Sequence, residues 1–254
     1  MSNSLIMVLN SKFRTPDSAS VSDFTISIGQ SISIKQSVVQ SVTLPNTVYN
    51  INDTNNVGFL NLIGLGTFVV LVPVGQYNLA QFLLTLQGLL TAIDIASTVV
   101  QNPLTLKLDF TFSYPAQWAT DSTSPLSKVL GTYMNWNQSH YPAVPVNNFS
   151  AYALPNLTGI RNVYICSRIL GQGVNSLLEN GVNLPLVLNM PMTEPFASVN
   201  YFECNETLLN LKTYKQGQNT QYIDIQLRDI DGNIINLNGA EWQIAMLVYY
   251  DVAV

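Results

Sequence analysis

Residues 104–112 read Leu-Thr-Leu-Lys-Leu-Asp-Phe-Thr-Phe, with an apolar side chain at every second position. Residues 24–28 and 31–34 alternate in the same way. Alternation with a period of two places the apolar side chains on one face of an extended chain and the polar ones on the other. These stretches therefore predict β-strands with one face on a core and the other face polar.

Similar short apolar stretches recur along most of the chain. They are bounded by Asn, Gly and Pro, and many short strands with such boundaries are typical of a sandwich or barrel rather than of a parallel sheet. We therefore predict an all-β fold. The further strands are predicted at 38–44, 57–63, 67–74, 161–169, 184–190, 198–204, 221–228 and 241–250.

Two segments break the alternation and predict helices. Between 78 and 93 the apolar residues recur at intervals of three and four, and Asn78 can cap the first turn. A shorter helix is predicted at about 125–130, since Pro125 suits the first turn and Gly131 the position after the last. Residues 134–155 are rich in Pro and Asn without apolar periodicity, and they predict a long loop or the edge of an insertion.

Charged residues are scarce in this sequence. They make up 10% of the chain, against about 25% in an average domain, and Ser, Thr, Asn and Gln take their place. The buried centres of protein interfaces are depleted in charge, so such a surface is typical of a subunit that its neighbours cover. The alternative is that the neutral composition has no bearing on assembly. The net charge of −5 leaves no basic stripe, which argues against direct nucleic-acid binding.

Asp94 is the only charged residue between Asp53 and Lys107, and this neutrality raises the question of a membrane span. Polar residues interrupt the segment before about 20 apolar residues accumulate, so we predict a buried core segment and no membrane span. The apolar run Leu5–Leu9 is too short for a signal peptide, so we expect a cytosolic product. In that compartment, Cys166 and Cys204 are expected to be reduced and buried.

No motif predicts a catalytic, cofactor-binding or metal site, so we expect no such site, no cofactor and no enzyme activity. The only histidine, His140, has no acid nearby in sequence and is interpreted as a solvated loop residue. Residues 229–233 begin like a calcium loop, but Ile234 and Ala240 stand where that loop needs its glycine and its bidentate acid. An Asp-Gly hairpin turn is the preferred interpretation. Carboxylates that could still pair in space are Asp109, Glu194, Glu203, Glu206 and Glu241.

Short motifs along most of the chain resemble the penton or minor capsid proteins, with a single jelly roll, of virophages, polinton-like viruses and related large DNA viruses. The N-terminal half carries Val8–Arg14, Ser22–Ile26 and Val38–Ile51. The middle carries Val70–Tyr77, similar to the family's passage from a strand through Gly-x-Tyr into a helix, and Ser124–Gly131, similar to its short Leu-Gly helix. The closing hairpin of the roll is represented by Ile225–Gly232 and Glu241–Ile244.

The resemblance implies a fold, an assembly and a location. It implies a jelly-roll β-sandwich that forms a homopentamer at the fivefold vertices of an icosahedral capsid, next to the major capsid protein and other minor capsid proteins. The virion would then be its location, after assembly in the host cytoplasm. Because a minimal jelly roll is shorter than this chain, the expected core is 1–133 plus 216–254, with 134–215 as an insertion or extended loops.

Two other functions stay open at this point. The chain would suit a minor capsid cement or spike protein, or a carbohydrate-binding module, since jelly rolls also form lectins. In the latter case, exposed aromatic side chains would stack on sugars. The candidates are Trp118, Tyr133, Trp136 and Tyr141.

Overall fold

Antiparallel strands account for most of this protein, as the alternating sequence predicts. The computed structural model describes residues 3–120, 123–132, 139–171, 175–177, 183–203 and 212–252. Its fold is all-β and jelly-roll-like, which confirms the predicted fold class. The strands are β1 (Asn3–Asn10), β2 (Asp23–Pro45), β3 (Val57–Leu62), β4 (Gly66–Leu71), β5 (Thr98–Gln101), β6 (Leu108–Ala119), β7 (His140–Ser150), β8 (Asn162–Cys166), β9 (Asn175–Leu177), β10 (Asn183–Pro191), β11 (Val199–Glu203), β12 (Lys212–Arg228) and β13 (Gln243–Val252); the helices are α1 (Leu79–Ile93) and α2 (Leu126–Leu130), with a 3₁₀ turn at Ser11–Phe13.

The chain divides into two compact units, the first formed by 1–48 and 160–254 and the second by 49–159. The first unit holds an eight-stranded sheet in the order β1-β13-β2-β12-β8-β10-β9, and β11 pairs with the C-terminal part of β2. The inward side chains of this sheet form one core, in which the rings of Phe24 and Trp242 meet edge to face with centroids 5.7 Å apart. The first and the last segments of the chain therefore share one sheet.

The second unit holds a five-stranded sheet and both helices. The strand order is β4-β3-β6-β5, with β7 on β6. Phe82, Leu86 and Leu90 of α1 are buried in the core of this unit. The side chain of Gln87 joins α1 to β5, since its amide nitrogen donates to the Ser97 carbonyl oxygen (2.7 Å) and its amide oxygen accepts from the Val99 N–H (2.7 Å).

Both predicted helices are present, with the predicted ends. Asn78 caps α1 through a hydrogen bond from the Gln81 N–H (2.9 Å), and the Gln81 side chain accepts from the Asn78 N–H (3.1 Å). This reciprocal pair is a capping box. Gly131 ends α2 in the left-handed conformation, with φ 71°. Local sequence signals were sufficient for both helices.

Two sequence-based expectations about local structure are wrong. The loop predicted over 134–155 contains strand β7, while residues 133–138 lie outside the described part of the chain. The strand predicted from residue 104 begins only at Leu108, because the Asn102 side chain accepts hydrogen bonds from the N–H groups of Leu104 and Thr105 and closes a turn there. Asn is a preferred turn residue for this reason.

Strands β1, β5 and β9 were not predicted from the sequence. The grouping into two units also differs from the sequence-based division into 1–133 plus 216–254 and an insertion at 134–215. A grouping by proximity does not establish which segment folds by itself, so that division stays a prediction. Neither helix among the described residues is long and apolar enough to cross a membrane.

Candidate assembly surfaces

The second unit is poor in charge and rich in exposed apolar side chains. Its charged residues in the sequence are Asp53, Asp94, Lys107, Asp109, Asp121 and Lys128. Its large exposed apolar residues are Ile63, Leu65, Val69, Leu71, Val74, Leu84, Ile95, Val100, Leu104, Leu106, Tyr114, Val144, Val146, Tyr152 and Leu154. Exposed apolar side chains that gather into one patch mark interaction sites in soluble proteins.

The hairpin of β3 and β4 is apolar on both faces. Its inner face buries Leu60, Leu62 and Val70 in the core. On the outer face, Val69 and Leu71 are 61% and 54% exposed, and they lie opposite Phe59 and Val57 in the strand pairing. Antiparallel hairpins at a free surface normally alternate between an apolar inner and a polar outer face. The outer face of this hairpin therefore has the composition of a covered surface.

We call the exposed apolar residues of this hairpin, Ile63, Leu65, Val69 and Leu71, the hairpin patch. Ile63 and Leu65 belong to the tight turn between the strands, where the Leu65 N–H donates to the Leu62 carbonyl oxygen at 3.0 Å. All four lie in a stretch without charge, 54–93. β4 is also an edge strand in the described order of its sheet, so its outer backbone groups are available for pairing with another chain.

The hairpin is fixed firmly to the rest of its unit. A side chain at Gly58 would lie 3.1 Å from both Trp118 and Leu126, so the glycine allows the strand to pack directly against these two residues. The N–H of the next residue, Phe59, donates to the Ser124 hydroxyl at 3.1 Å. The hairpin patch is therefore presented on a preorganised strand pair.

The residues considered for chemistry from the sequence have structural roles. His140 begins β7 instead of lying in a loop, so the expected loop placement is wrong. The residue is partly exposed, and its Nδ1 is 2.9 Å from the Ser139 hydroxyl. The side chain of Asp229 accepts hydrogen bonds from the Asn233 backbone and amide nitrogens (2.8 and 3.1 Å). This closes a turn between Arg228 and Ile234, as the hairpin interpretation predicted.

Acidic side chains and cysteines were the other candidates for chemistry. Within the described part of the chain, no three His, Cys, Asp or Glu side chains come together as they would at a metal site. Asp109 accepts hydrogen bonds from Ser150 (2.5 Å) and Asn102 (2.9 Å), and Glu206 lies outside the described residues. Burial raises the pKa of the Cys166 thiol to about 11, which keeps it protonated and unreactive. Cys204 lies outside the described residues.

Two of the four aromatic residues considered for sugar stacking lie in the described part of the chain, and both are engaged within the subunit. Trp118 is fully buried in the core of the second unit, so its ring cannot meet a ligand. Tyr141 donates its hydroxyl to the Ser150 carbonyl oxygen (2.7 Å) and packs edge to face on Phe149. Tyr133 and Trp136 lie outside the described residues. The carbohydrate-binding alternative therefore loses Trp118 as a stacking residue.

Sequence reasoning found the neutral stretch but missed the two-faced hairpin. The available signal was the run Phe-Val-Val-Leu at 68–71, which lacks alternation and is typical of a strand covered on both faces. Only the pairing of Phe59 with Val69 and of Val57 with Leu71 shows which apolar side chains share the outer face.

One of the solved structures that are similar to this chain is a penton protein. No protein-family model and no curated protein sequence matches the chain. A crystal structure of the selenomethionine-labelled mavirus penton protein is similar over 99% of this chain and 100% of that one, with 12% sequence identity and a TM-score of 0.49.

Proposed function

We propose that this protein is a structural capsid subunit of the penton type, which assembles with copies of itself into a pentamer at the fivefold vertices. The major capsid protein and other minor capsid proteins would surround it in the virion, after assembly in the host cytoplasm. Motifs of the sequence that resemble such proteins suggest this role, and it needs no catalytic residue or cofactor.

The observation that carries the proposal is the hairpin that is apolar on both faces within an uncharged stretch. Covering a Val or Leu side chain that is about half exposed contributes about 1 kcal/mol, so the hairpin patch supplies a few kcal/mol at each contact. A closed ring repeats this contribution at every contact and leaves no open end. The exposed apolar side chains of the hairpin patch would then be covered in the assembly and would not promote aggregation.

The proposal predicts a pentamer of purified protein. Five copies of the 28.0 kDa chain give a mass of about 140 kDa in native mass spectrometry, and negative-stain images are expected to show fivefold rings. Monomer alone at micromolar concentrations would contradict self-assembly. A trimer or dimer would favour a cement or spike protein over a penton.

We also expect the pentamer to persist at high salt. At about 1 M ionic strength the screening length falls to about 3 Å, which weakens contacts between exposed charges but hardly affects apolar and neutral polar contacts. The hairpin patch contains no charged residue. Sedimentation velocity at about 0.1 M and about 1 M sodium chloride tests this expectation. Dissociation at high salt would show that paired charges hold the assembly together.

A further inference from the structure

Strand β1 is an edge strand without the usual protection. It pairs with β13 from Asn3 opposite Tyr250 to Asn10 opposite Gln243, without a register shift, and it ends the described order of the sheet. Edge strands of stable monomers carry Lys, Pro or a bulge that discourages pairing with another chain. The sequence of β1, Asn-Ser-Leu-Ile-Met-Val-Leu-Asn, has none of these features.

Both faces of β1 are apolar. Met7 and Leu9 are buried in the core, whereas Ile6 and Val8 on the other face are 70% and 54% exposed. A free, straight strand with apolar side chains on both faces is an aggregation site unless something covers it. This composition indicates that β1 is covered in the working state of the protein.

A groove of about 310 Å³ runs beside this strand, and we call it the β1 groove. Between Ser27 and Ile32 the pairing of β2 with β12 is interrupted, and β13 pairs with β2 only from Ile32 onward. The outer backbone edge of β1, opposite its pairing with β13, therefore faces the groove and is available to one extended chain. The groove is lined, without a charged residue, by Leu5, Ile6, Met7, Val8 and Leu9 of β1 and by Ile26, Ser27, Ile28, Gln30 and Ile32 of β2.

The edge is also held in place before anything binds. At the end of β1, the Ser11 N–H donates to the Trp242 carbonyl oxygen (3.0 Å), and the Trp242 N–H donates to the Ser11 hydroxyl oxygen (3.0 Å). The Ser11 hydroxyl in turn donates to the Glu241 carboxylate, which Arg14 also binds at 3.0 Å. An incoming strand therefore meets an ordered template, which lowers the entropic cost of pairing.

We propose that β1 of one copy pairs with β4 of the neighbouring copy, a contact that rests on the proposed self-assembly. Strand β4 suits the free edge of β1 because it is an uncharged edge strand, Gly66–Leu71, whose Val69 and Leu71 are 61% and 54% exposed. Pairing of two neutral edges buries no unpaired charge. Because the two edges differ, the contact is head to tail and can be repeated around a ring, whereas pairing of β1 with itself would end at a dimer.

Lysine at the exposed positions of β1 tests the contact. We expect Ile6→Lys and Val8→Lys to leave each subunit folded, as judged by circular dichroism, and to shift sedimentation from the ring to monomer. Val199→Lys is the matched control, because Val199 on β11 is a valine of similar exposure (55%) outside the groove lining, and it should assemble normally. If the wild type assembles and Ile6→Lys and Val8→Lys assemble equally well, this contact is wrong while the proposed function stands. If the wild type is monomeric, the proposed function itself fails.

Cross-linking identifies the partner strand. In a Cys204→Ser background, a short bis-maleimide should link the double variant Val8→Cys/Val69→Cys into a ladder that ends at the ring size on a denaturing gel. Each single variant should stay monomeric on the same gel. A dimer from Val8→Cys alone would show that β1 pairs with itself. An assembled double variant that gives no ladder would exclude β4 as the partner. Either result overturns the proposal.

Discussion

Val69→Asp is expected to convert the assembled protein into folded monomers. The Val69 side chain is 61% exposed in the subunit, so an aspartate there stays hydrated and the fold tolerates it. In the assembly the same carboxylate would be covered by a neutral surface, and an unpaired buried charge costs about 3–5 kcal/mol. That cost weakens each contact more than about 100-fold. A ring repeats the cost at every contact, so we expect complete dissociation at micromolar concentrations.

Leu71→Lys should have the same effect, because the cost of burying a charge does not depend on its sign. Val199→Asp is the matched control, since Val199 is a valine of similar exposure (55%) on strand β11 of the other unit. Sedimentation velocity gives the assembly state, and circular dichroism shows whether the subunit is folded. Rings of Val69→Asp as stable as those of the wild type would place the hairpin patch outside the interface.

Gly131→Ala is expected to destabilise the second unit by about 3 kcal/mol. The residue ends α2 with φ 71°, a conformation that costs alanine about 1 kcal/mol. Its new Cβ would also lie 2.3 Å from the Ala153 carbonyl oxygen, a backbone atom. That segment cannot easily retreat, because the Ala153 N–H donates to the Gly131 carbonyl oxygen (2.8 Å) and the Asn156 N–H to that of Val129 (2.8 Å). Relieving such a clash typically costs a further 1–3 kcal/mol.

Gly88→Ala in helix α1 is the matched control for Gly131→Ala. A Cβ at Gly88 meets no atom within 4 Å, and the position is exposed. Alanine there should stabilise the helix by about 0.5–1 kcal/mol, since glycine is the poorer helix former. Urea unfolding followed by circular dichroism compares the two variants. Equal midpoints for Gly131→Ala and the wild type would show that the Ala153 segment yields without cost.

Much of the local structure follows from the sequence by itself. Alternating and short apolar stretches predicted strands β2, β3, β8, β10, β11 and β13 near their observed places, and the three- and four-residue period with Asn78 predicted α1. These signals are local, because the alternation of a strand or the three- and four-residue spacing of a helix is visible within a short stretch of sequence. The scarcity of charge in the chain was likewise visible, and with it the expectation of a covered surface.

Only the tertiary structure decided which surfaces those patterns produce. Alternation indicates that the two faces of a strand differ, but it does not indicate which other strand lies beside it. Antiparallel partners can be far apart in sequence, as Leu9 and Ile244 are. Pairings of this kind make β1 an edge strand and place Trp118, opposite Leu60, in the core of the second unit. The free energy that selects these pairings comes from burial in a shared core, a property of the assembled sheet that no single segment carries.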